Sequence, residues 1–389
     1  MIITTTTQLE TVCRRFATHS FMTIDTEFIR EKTFFPDVCL IQIASPEEAY
    51  CIDPLVADLD LNPLFELLQN KTVVKVFHSG HQDIEILYQL SGKIPTPVFD
   101  TQVGAMVCGF GENVSYQQLV QTFLKITLDK SMRCTNWECR PLSDSQIQYA
   151  LSDVTYLRDV YLQLQKKIKE THRESWIEEE LKDLTNEVVY NPTPEFLLKK
   201  IKPQSGLKGV SLYVYQQLYL YREQLARLRN RPRRQLIKDD LLQELAVRLP
   251  KTPDDLKSLR NVSKGFEKSA MAVELIALIM DSLQADWKKN TIVSVKTQQL
   301  TKSQKGLVEV LKMILHIVSI QEDVAASIIT TTDELELFVS GKDVSFKHGW
   351  RYDVFGALAQ QICSGKKAIC YHPTLKKIIF SDIPEQKKN

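Results

Sequence analysis

The stretch Phe21-Met-Thr-Ile-Asp-Thr-Glu-Phe-Ile29 decides the fold, because it sets two acidic residues inside an otherwise apolar strand. Side chains two residues apart on a strand point to the same face, so Asp25 and Glu27 would lie side by side. Buried carboxylates cost free energy unless a positive group compensates them, and a divalent cation is the natural compensator. Alone the pattern is weak, since residues 83–85 have the same spacing and surface strands often carry such pairs.

The pattern of elements around this strand predicts an α/β domain. Three strand-like runs with short connections, at Phe21–Ile29, 38–44 and Ala49–Ile52, indicate an antiparallel meander. Two further strands, at 72–77 and 98–101, alternate with helical patterns. We therefore predict a mixed five-stranded sheet with flanking helices.

Two more acidic motifs follow in chain order. Asp83 comes shortly after the strand at 72–77, at the end of a strand where α/β sheets bind ligands, although a carboxylate there also suits a helix dipole. Tyr149 and Asp153 are four residues apart, so they share one helix face, as an ordinary surface pair also would. The occurrence of all three motifs in this order favours one common site.

Composition narrows the class of protein. A chain of 389 residues exceeds the roughly 250–300 residues of a single core, which predicts two or three domains. Its net charge of +1 means that a local patch must hold any anionic partner. Eight cysteines without a Cys-x-x-Cys pair favour reduced thiols over disulfides or a zinc site.

Targeting signals and nucleotide-binding motifs are missing from the sequence. No secretory signal and no apolar stretch of membrane-spanning length is visible, which predicts a soluble, cytoplasmic protein without a membrane partner. No Walker-type Gly-x-x-x-x-Gly-Lys-Ser/Thr motif is present, so we expect no nucleoside triphosphate as a ligand.

Further motifs extend beyond the acidic positions. They are Asp25-Thr-Glu-Phe-Ile-Arg30, Thr33-Phe-Phe-Pro36, Leu40-Ile-Gln-Ile43, Ile52-Asp-Pro54, Val76-Phe-His-Ser-Gly80, Phe99-Asp-Thr-Gln102, Thr127-Leu-Asp-Lys-Ser131, Arg140-Pro-Leu142 and residues 149–157. Together they resemble the ribonuclease D family, within the tyrosine subtype of the DEDD exonuclease superfamily. The resemblance implies a ribonuclease H-like 3′→5′ exonuclease domain over residues 1–175, releasing nucleoside 5′-monophosphates from RNA.

The resemblance also implies hydrolysis with two divalent cations. Asp25 would bridge both ions, Glu27 and Asp153 would complete the site of the nucleophilic water, and Asp83 would serve the second ion. Tyr149 would orient the water, because a phenol with a pKa near about 10 is a poor base at neutral pH. All-oxygen ligation favours Mg²⁺ or Mn²⁺ over zinc.

Three other residues match family segments as contacts of the terminal nucleotide: His78, Gln42 and Lys130. A hydrogen-bonded core histidine or a solvated lysine would fit these positions equally well.

Substrate binding is predicted in the second half of the chain. Residues 198–234 contain one acidic and ten basic residues, a balance of +9: Lys199, Lys200, Lys202, Lys208, Arg222, Arg227, Arg229, Arg231, Arg233 and Arg234. Arginines with interleaved tyrosines suit phosphate contacts and base stacking. Arg231, Arg233 and Arg234 are the arginines that we predict to bind RNA, and they are called the predicted grip below. A solvated helix face would have the same composition.

The segment from Leu220-Tyr-Arg-Glu-Gln-Leu-Ala226 through Leu249-Pro-Lys-Thr-Pro253 and Leu256 resembles the HRDC module, a small helical nucleic-acid-binding domain. The final segment, with Gly349-Trp-Arg351 and Gly365-Lys-Lys-Ala368, resembles a second such domain more loosely. We expect a connecting segment at 176–205, an HRDC domain at 206–288 and a second, looser HRDC-like domain at 300–389. The implied partners are RNAs with single-stranded 3′ ends, such as transfer RNA precursors and other small structured RNAs. Two alternatives stay open: a DNA 3′→5′ exonuclease, and a catalytically silent nucleic-acid-binding protein.

Overall fold

The computed structural model describes residues 1–129, 131–201, 207–260, 262–291 and 300–384. The chain forms two compact units. The first unit contains Met1–Glu27, Leu40–Thr185 and Lys296–Asn389, and the second contains Phe28–Cys39 and Asn186–Val295. None of the described helices is both long and apolar enough to cross a membrane.

A six-stranded mixed sheet forms the centre of the first unit, in the order β1-β4-β3-β2-β5-β6. The strands are β1 (Ile2–Ile3), β2 (Phe21–Ile29), β3 (Asp37–Ala44), β4 (Ala49–Ile52), β5 (Val74–Phe77) and β6 (Val98–Asp100). Strands β3 and β4 are antiparallel, whereas β2, β5 and β6 run parallel to one another. The mixed sheet and its five predicted strands are confirmed, but the predicted strand number was wrong by one. Strand β1, parallel to β4, is too short to show a periodic pattern.

Seven helices accompany this sheet along the chain: α1 (Thr6–Phe16), α2 (Asn62–Leu68), α3 (His81–Ser91), α4 (Thr101–Val107), α5 (Tyr116–Leu124), α6 (Asp144–Glu170) and α7 (Glu174–Leu184). Helix α6 begins with a reciprocal capping box. Ser143 Oγ accepts from Gln146 N at 3.2 Å, and Gln146 Oε1 accepts from Ser143 N at 3.0 Å. Because both groups at the helix start are satisfied, this cap fixes where the helix begins.

The second unit is helical. It contains α8 (Glu187–Tyr190), α9 (Pro194–Lys200), α10 (Gly209–Leu228), α11 (Arg233–Leu236), α12 (Asp239–Arg248), α13 (Ala270–Gln284) and α14 (Trp287–Asn290), with 3₁₀ helices at Pro253–Ser258 and Phe266–Lys268. Its core includes Val214 and Leu218 of α10, Leu242 of α12 and Leu275 of α13, all fully buried.

The C-terminal segment returns to the first unit. It contains α15 (Lys302–Gln321), α16 (Ala326–Ile329), α17 (Thr332–Val339), a 3₁₀ helix at Ser345–Lys347, α18 (Gly349–Arg351), a π-helical stretch at Tyr352–Gly356, α19 (Ala357–Cys363), and the antiparallel hairpin of β7 (Lys367–His372) and β8 (Lys377–Asp382). Leu311 of α15 belongs to the same buried cluster as Val107 of α4 and Leu164 of α6. The Trp350 ring stacks on Trp176 with centroids 4.3 Å apart.

The C-terminal segment therefore shares a hydrophobic core with the helices of the sheet domain. Arg351 strengthens this packing, since its guanidinium pairs with Glu179 and Glu180 of α7. The domain limits given by the sequence stay predictions. Helical periodicity shows that α15 has an apolar face but does not show which surface covers that face.

A buried lysine joins the turns that precede β5 and β6. The Lys75 side chain is fully buried, and its Nζ donates to Asn70 O at 2.8 Å, Val73 O at 2.7 Å and Thr96 O. Burial lowers the pKa of Lys75 to about 8. The amine thus meets its hydrogen-bonding requirement entirely from backbone carbonyls.

We expect Lys75→Met to lower the free energy of unfolding by about 2 kcal/mol or more, because methionine fills similar space but leaves buried carbonyl oxygens without a donor. Urea unfolding followed by tryptophan fluorescence measures the change. Lys71→Met removes an exposed lysine four residues earlier and serves as the control. Equal midpoints for the two variants would show that the buried hydrogen bonds contribute no net stability.

Candidate active site

Three of the four predicted carboxylates come together in the first unit. Asp25 and Glu27 lie on β2 beyond Thr23, the last residue of β2 in register with β5, so they project past the carboxyl end of that pairing. Asp153 lies on α6. One carboxylate oxygen from each of the three residues lies within 4.8 Å of the other two. This spacing lets a single cation contact all three oxygens.

Two hydrogen bonds hold α6 against the sheet at this place. Thr23 Oγ1 on β2 donates to Val154 O on α6 at 2.8 Å, and both residues are buried. Arg158 Nη1 on α6 donates to Ser45 O, just beyond β3, at 2.8 Å. Since Val154 directly follows Asp153, the first bond fixes where Asp153 lies along β2 relative to Asp25.

Asp83 is positioned by the turn between β5 and α3. A side chain on Gly80 would place its Cβ 2.4 Å from Cβ of Phe77, so only glycine allows the chain to turn so close to β5. Asp100 holds the turn by accepting from Gly80 N at 2.8 Å and Ser79 N at 3.1 Å. Asp83 then lies in the first turn of α3, 7% exposed.

Asp83 lies outside the group of three carboxylates. Its Oδ1 accepts from Thr26 Oγ1 at 2.5 Å. Its charge nevertheless contributes to the raised pKa of Asp25 and of Glu27, so the four carboxylates share one electrostatic environment. A role of Asp83 at a second ion is compatible with this position.

Burial raises the pKa of every carboxyl group in the cluster, and the charges of neighbouring carboxylates add to the rise for Asp25 and Glu27. Burial is the largest cause for each. The pKa of Asp25 lies well above its usual value, that of Glu27 rises to about 8, that of Asp153 to about 7 and that of Asp83 to about 6. The site therefore favours positive charge, and its all-oxygen donor set fits Mg²⁺ or Mn²⁺.

Tyr149 is coupled to the cluster through Asp153. The Tyr149 hydroxyl helps to lower the pKa of Asp153 against the effect of burial, and both side chains line the same cavity. Burial, followed by the charges of Asp153, Glu27 and Asp25, raises the pKa of Tyr149 far above neutral. The phenol therefore stays protonated, which excludes it as a general base at neutral pH.

A cavity of about 320 Å³ opens beside the carboxylates. It is lined by Asp25, His78, Ser115, Tyr116, Gln117, Arg133, Tyr149, Asp153 and Leu157. His78 is one of these residues, with its Nδ1 3.0 Å from Thr101 Oγ1, and its contact with a nucleotide stays a prediction. Gln42 is not among the residues that line the cavity, and its side chain is fully buried in β3, so its contact with a nucleotide stays a prediction. Lys130 lies outside the described residues.

Tyr116 and Arg133 are two of the five cavity residues that were not predicted from the sequence. Tyr116, whose hydroxyl donates to Ser152 O at 2.7 Å, forms one wall near His78. Arg133 lies in a segment without helix or strand and lowers the pKa values of Glu27, Tyr149 and Asp153. Neither has a periodic or spaced pattern around it that would mark it as part of a site.

The three arginines of the predicted grip lie in different environments within the second unit. Arg233 pairs with Glu223, which is 2% exposed and also binds Arg227. The guanidinium of Arg233 lies 4.5 Å from the Phe34 ring centroid. Arg233 therefore has an internal structural role.

Arg231 and Arg234 are exposed. Arg234 Nε lies 2.9 Å from Asp239 Oδ2, an ion pair that water can screen because the Arg234 side chain is 83% exposed. Within the described ranges, no carboxylate forms a salt bridge with Arg231. These two residues keep the accessibility that a phosphate contact needs.

Comparisons with known proteins agree with this geometry. Residues 1–169 match the family described as 3'-5' exonuclease, and residues 211–279 match the HRDC domain. The chain is 42% identical to ribonuclease D of Bartonella henselae, covering 94% of this chain and 90% of that protein. It is 39% identical to ribonuclease D of Nitrobacter hamburgensis, covering 95% and 96%.

The chain belongs to the ribonuclease D family. It is a 3′→5′ exoribonuclease, a hydrolase that acts on RNA with divalent metal ions. Its fold is similar to that of ribonuclease D from Escherichia coli, described as an exoribonuclease involved in structured RNA processing, with a TM-score of 0.81 and 23% identity over 94% of this chain and 98% of that one.

We predict that the metal-free enzyme loses thermal stability, by a few degrees, as the pH rises from 6 to 8. Glu27 and Asp153 have folded-state pKa values above their usual ones, so the folded chain holds protons that the unfolded chain has released, and raising the pH removes that stabilisation. Melting curves in chelator at several pH values measure the effect, and Mg²⁺ should reverse it.

Glu27→Gln is the matched variant, since it removes one titrating group without changing size. Its melting temperature should depend less on pH, and Mg²⁺ should stabilise it less than the wild-type enzyme. If the melting temperatures of both proteins changed equally with pH, the raised pKa of Glu27 would not contribute to the pH dependence of stability.

Proposed function

We propose that this ribonuclease D releases nucleoside 5′-monophosphates from RNA 3′ ends by hydrolysis with two divalent cations. The proposed catalytic residues are Asp25, Glu27, Asp83, Tyr149 and Asp153. The observation that carries the proposal is the group of three carboxylate oxygens within 4.8 Å of one another, beside a cavity that Tyr149 also lines.

The carboxylates would divide the cations between them. Asp25, Glu27 and Asp153 would hold one Mg²⁺ or Mn²⁺ ion, and Asp83, which lies outside this group, would serve a second one shared with Asp25. When bound, such cations lower the pKa of water and stabilise charge on the attacking and leaving oxygens. Asp83 is held for this role by Thr26, whose hydroxyl bond fixes the carboxylate on the β2 side of α3.

Tyr149 would orient the attacking water. Its side chain lines the cavity together with Asp25 and Asp153, and a phenol oxygen accepts a hydrogen bond from water through its lone pairs. Accepting that bond turns the lone pair of the water away from Tyr149 and towards the phosphorus. A proton-transfer role for Tyr149 is unnecessary in this scheme, which agrees with its raised pKa.

The cavity favours a single-stranded end over a duplex. A volume of about 320 Å³ lies at the lower end of the range for small-molecule pockets, roughly 300–1,000 Å³, and suits one nucleotide. His78 and Tyr116 supply ring surfaces on its wall, with centroids 5.7 Å apart. A base could stack there in a manner that tolerates all four nucleotides.

We further propose transfer RNA precursors and other small structured RNAs with single-stranded 3′ ends as substrates, in the cytoplasm. The support is family membership together with the HRDC domain at 211–279 and the exposed basic groups of the second unit. A second HRDC-like domain in the C-terminal segment belongs to the same proposal. The alternative of a DNA exonuclease has no support, because the relatives that match over almost the whole chain are ribonucleases D.

Asp25→Asn should abolish hydrolysis, since it removes the carboxylate shared by both cations. End-labelled single-stranded RNA, incubated with Mg²⁺ and separated by chromatography, should yield nucleoside 5′-monophosphates with the wild-type enzyme and nothing with the variant. Asp58→Asn, at an exposed acid, is the control and should keep full activity. Residual activity of more than a few per cent in folded Asp25→Asn, or 2′,3′-cyclic products from the wild type, would contradict the scheme.

The exposed arginines of the second unit should contribute affinity and not turnover. Arg231→Ala with Arg234→Ala should reduce the salt dependence of RNA binding by roughly 1.4 in log–log slope, at about 0.7 per phosphate contact on single strands. Turnover at saturating RNA should stay unchanged. Fluorescence anisotropy across a salt series gives the slope.

Arg233→Ala is the contrasting variant for this experiment. Because Arg233 pairs with the buried Glu223, its loss should lower the stability of the second unit while leaving the salt slope closer to that of the wild type. An unchanged slope in the double variant would place the RNA elsewhere on the enzyme.

A further inference from the structure

The loop between α5 and α6 forms part of the active-site wall without being a helix or a strand. Its described residues are 126–129 and 131–142. Two motifs noted in the sequence, Ile52-Asp-Pro54 and Arg140-Pro-Leu142, lie away from the metal-binding carboxylates and have had no role assigned so far. The structure joins these two motifs to each other and to the cavity.

A bidentate ion pair between Arg140 and Asp53 anchors the loop. Arg140 Nε lies 2.6 Å from Asp53 Oδ2, and Arg140 Nη2 lies 2.7 Å from Asp53 Oδ1. The Asp53 side chain is only 8% exposed, so little water competes for it. Parallel charge-assisted bonds of this kind define an orientation as well as a distance. They attach the end of the loop to the residue that follows β4.

Arg140 also holds the loop backbone. Its Nη1 donates to Trp137 O at 2.7 Å and to Cys139 O at 3.0 Å. Trp137, 3% exposed, sets its ring centroid 6.1 Å from that of Tyr149. One arginine thus connects Asp53, the loop and the residue that packs on the proposed water-orienting tyrosine.

A third contact fixes the loop nearer to its middle. Gln146 Nε2, in the first turn of α6, donates to Thr135 Oγ1 at 3.2 Å. Arg133 lies two residues before Thr135, so it extends from a backbone that is tied on its C-terminal side to α6 and to β4. This anchoring makes its position reproducible although the loop lacks regular structure.

Arg133 is exposed and lines the same cavity as Asp25, Tyr149 and Asp153. Across the described residues, no carboxylate forms a salt bridge with its guanidinium. It is therefore a cation facing the space that a phosphodiester would enter, on the side of Glu27, Tyr149 and Asp153, whose pKa values its charge lowers.

We propose that Arg133 is a further catalytic residue, donating hydrogen bonds to a non-bridging oxygen of the scissile phosphate, and that the Asp53–Arg140 pair is the positioning device that holds it there. This inference rests on the proposed hydrolytic function of the site. Negative charge spreads over the non-bridging oxygens as water attacks phosphorus, and a preoriented guanidinium stabilises that charge more in the transition state than in the bound substrate. The planar fork of arginine matches two phosphate oxygens, which an ammonium group does not.

Arg133→Ala and Arg133→Lys test the catalytic role at saturating Mg²⁺ and RNA. We expect the alanine variant to turn over about 10²-fold more slowly, the range for loss of one transition-state donor, and the lysine variant to recover only part of the rate. Mn²⁺ affinity, measured by calorimetry, should stay at the wild-type value. Free guanidinium ion at low concentration should restore part of the rate of Arg133→Ala but not change that of the wild type.

Cys134→Ala, at the exposed neighbouring residue, is the control for the loop and should keep full activity. A wild-type rate in Arg133→Ala would overturn the inference. So would a rate lost together with Mn²⁺ affinity, because Arg133 would then act on the carboxylates and not on the phosphate. Absence of hydrolysis by the wild-type enzyme would instead overturn the proposed function.

Coupling between variants tests the positioning role of the ion pair. Asp53→Asn should lower kcat with little change in KM, and adding Arg133→Ala to it should cost less than it does in the wild-type background. Arg140→Lys, which keeps the charge but not the fork, should behave like Asp53→Asn. Fully additive effects would show that the pair supports the fold and does not position Arg133.

Discussion

Repulsion between buried carboxylates is the constraint on which the first unit depends. One carboxylate oxygen from each of Asp25, Glu27 and Asp153 lies within 4.8 Å of the other two. Burial raises the pKa of all three groups, and like charge adds to the rise for Asp25 and Glu27. Such a group forms only if other interactions hold the elements together against it. The hydrogen bond of Thr23 to Val154, the buried sheet around it and the capped start of α6 supply those interactions. A bound cation would offset the repulsion between these carboxylates, and this favours cation binding.

The chemistry is divided between rigid elements and an anchored loop. The carboxylates proposed to bind cations lie on β2, α3 and α6, whose backbones are fixed by their own hydrogen bonds. Arg133 lies on a loop instead, whose position is fixed by side-chain contacts and not by helix or strand hydrogen bonds. Arg140 and Asp53 tie that loop to β4, and Gln146 ties it to α6. Because Arg133 lies on a loop, its guanidinium faces the carboxylates without occupying a position in the sheet beside them.

The basic residues of the second unit fall into two groups, those in internal ion pairs and those exposed to solvent, and composition does not distinguish them. The basic stretch at 198–234 suggests one continuous grip for RNA, yet three of its arginines are engaged internally. Arg222, 4% exposed, pairs with Asp239, while Arg227 and Arg233 enclose the buried Glu223. Arg227 and Arg233 also lie over the Phe34 ring, at 5.1 and 4.5 Å from its centroid. The accessible charge is therefore smaller than the formal balance and lies at exposed positions such as Arg231.

The sequence by itself predicted five of the six strands of the sheet and the order of the acidic motifs, which are local properties of the chain. That Asp25, Glu27 and Asp153 share one site was implied by the resemblance to a known family. Only the tertiary structure decided that Asp83 stays outside the group of three, that Gln42 is buried away from the cavity wall, and that α15 shares the core of the sheet domain. Arg133 belongs to the same class. Each of these outcomes depends on which distant segment packs against a residue, and packing is set by complementary surfaces that no local pattern records.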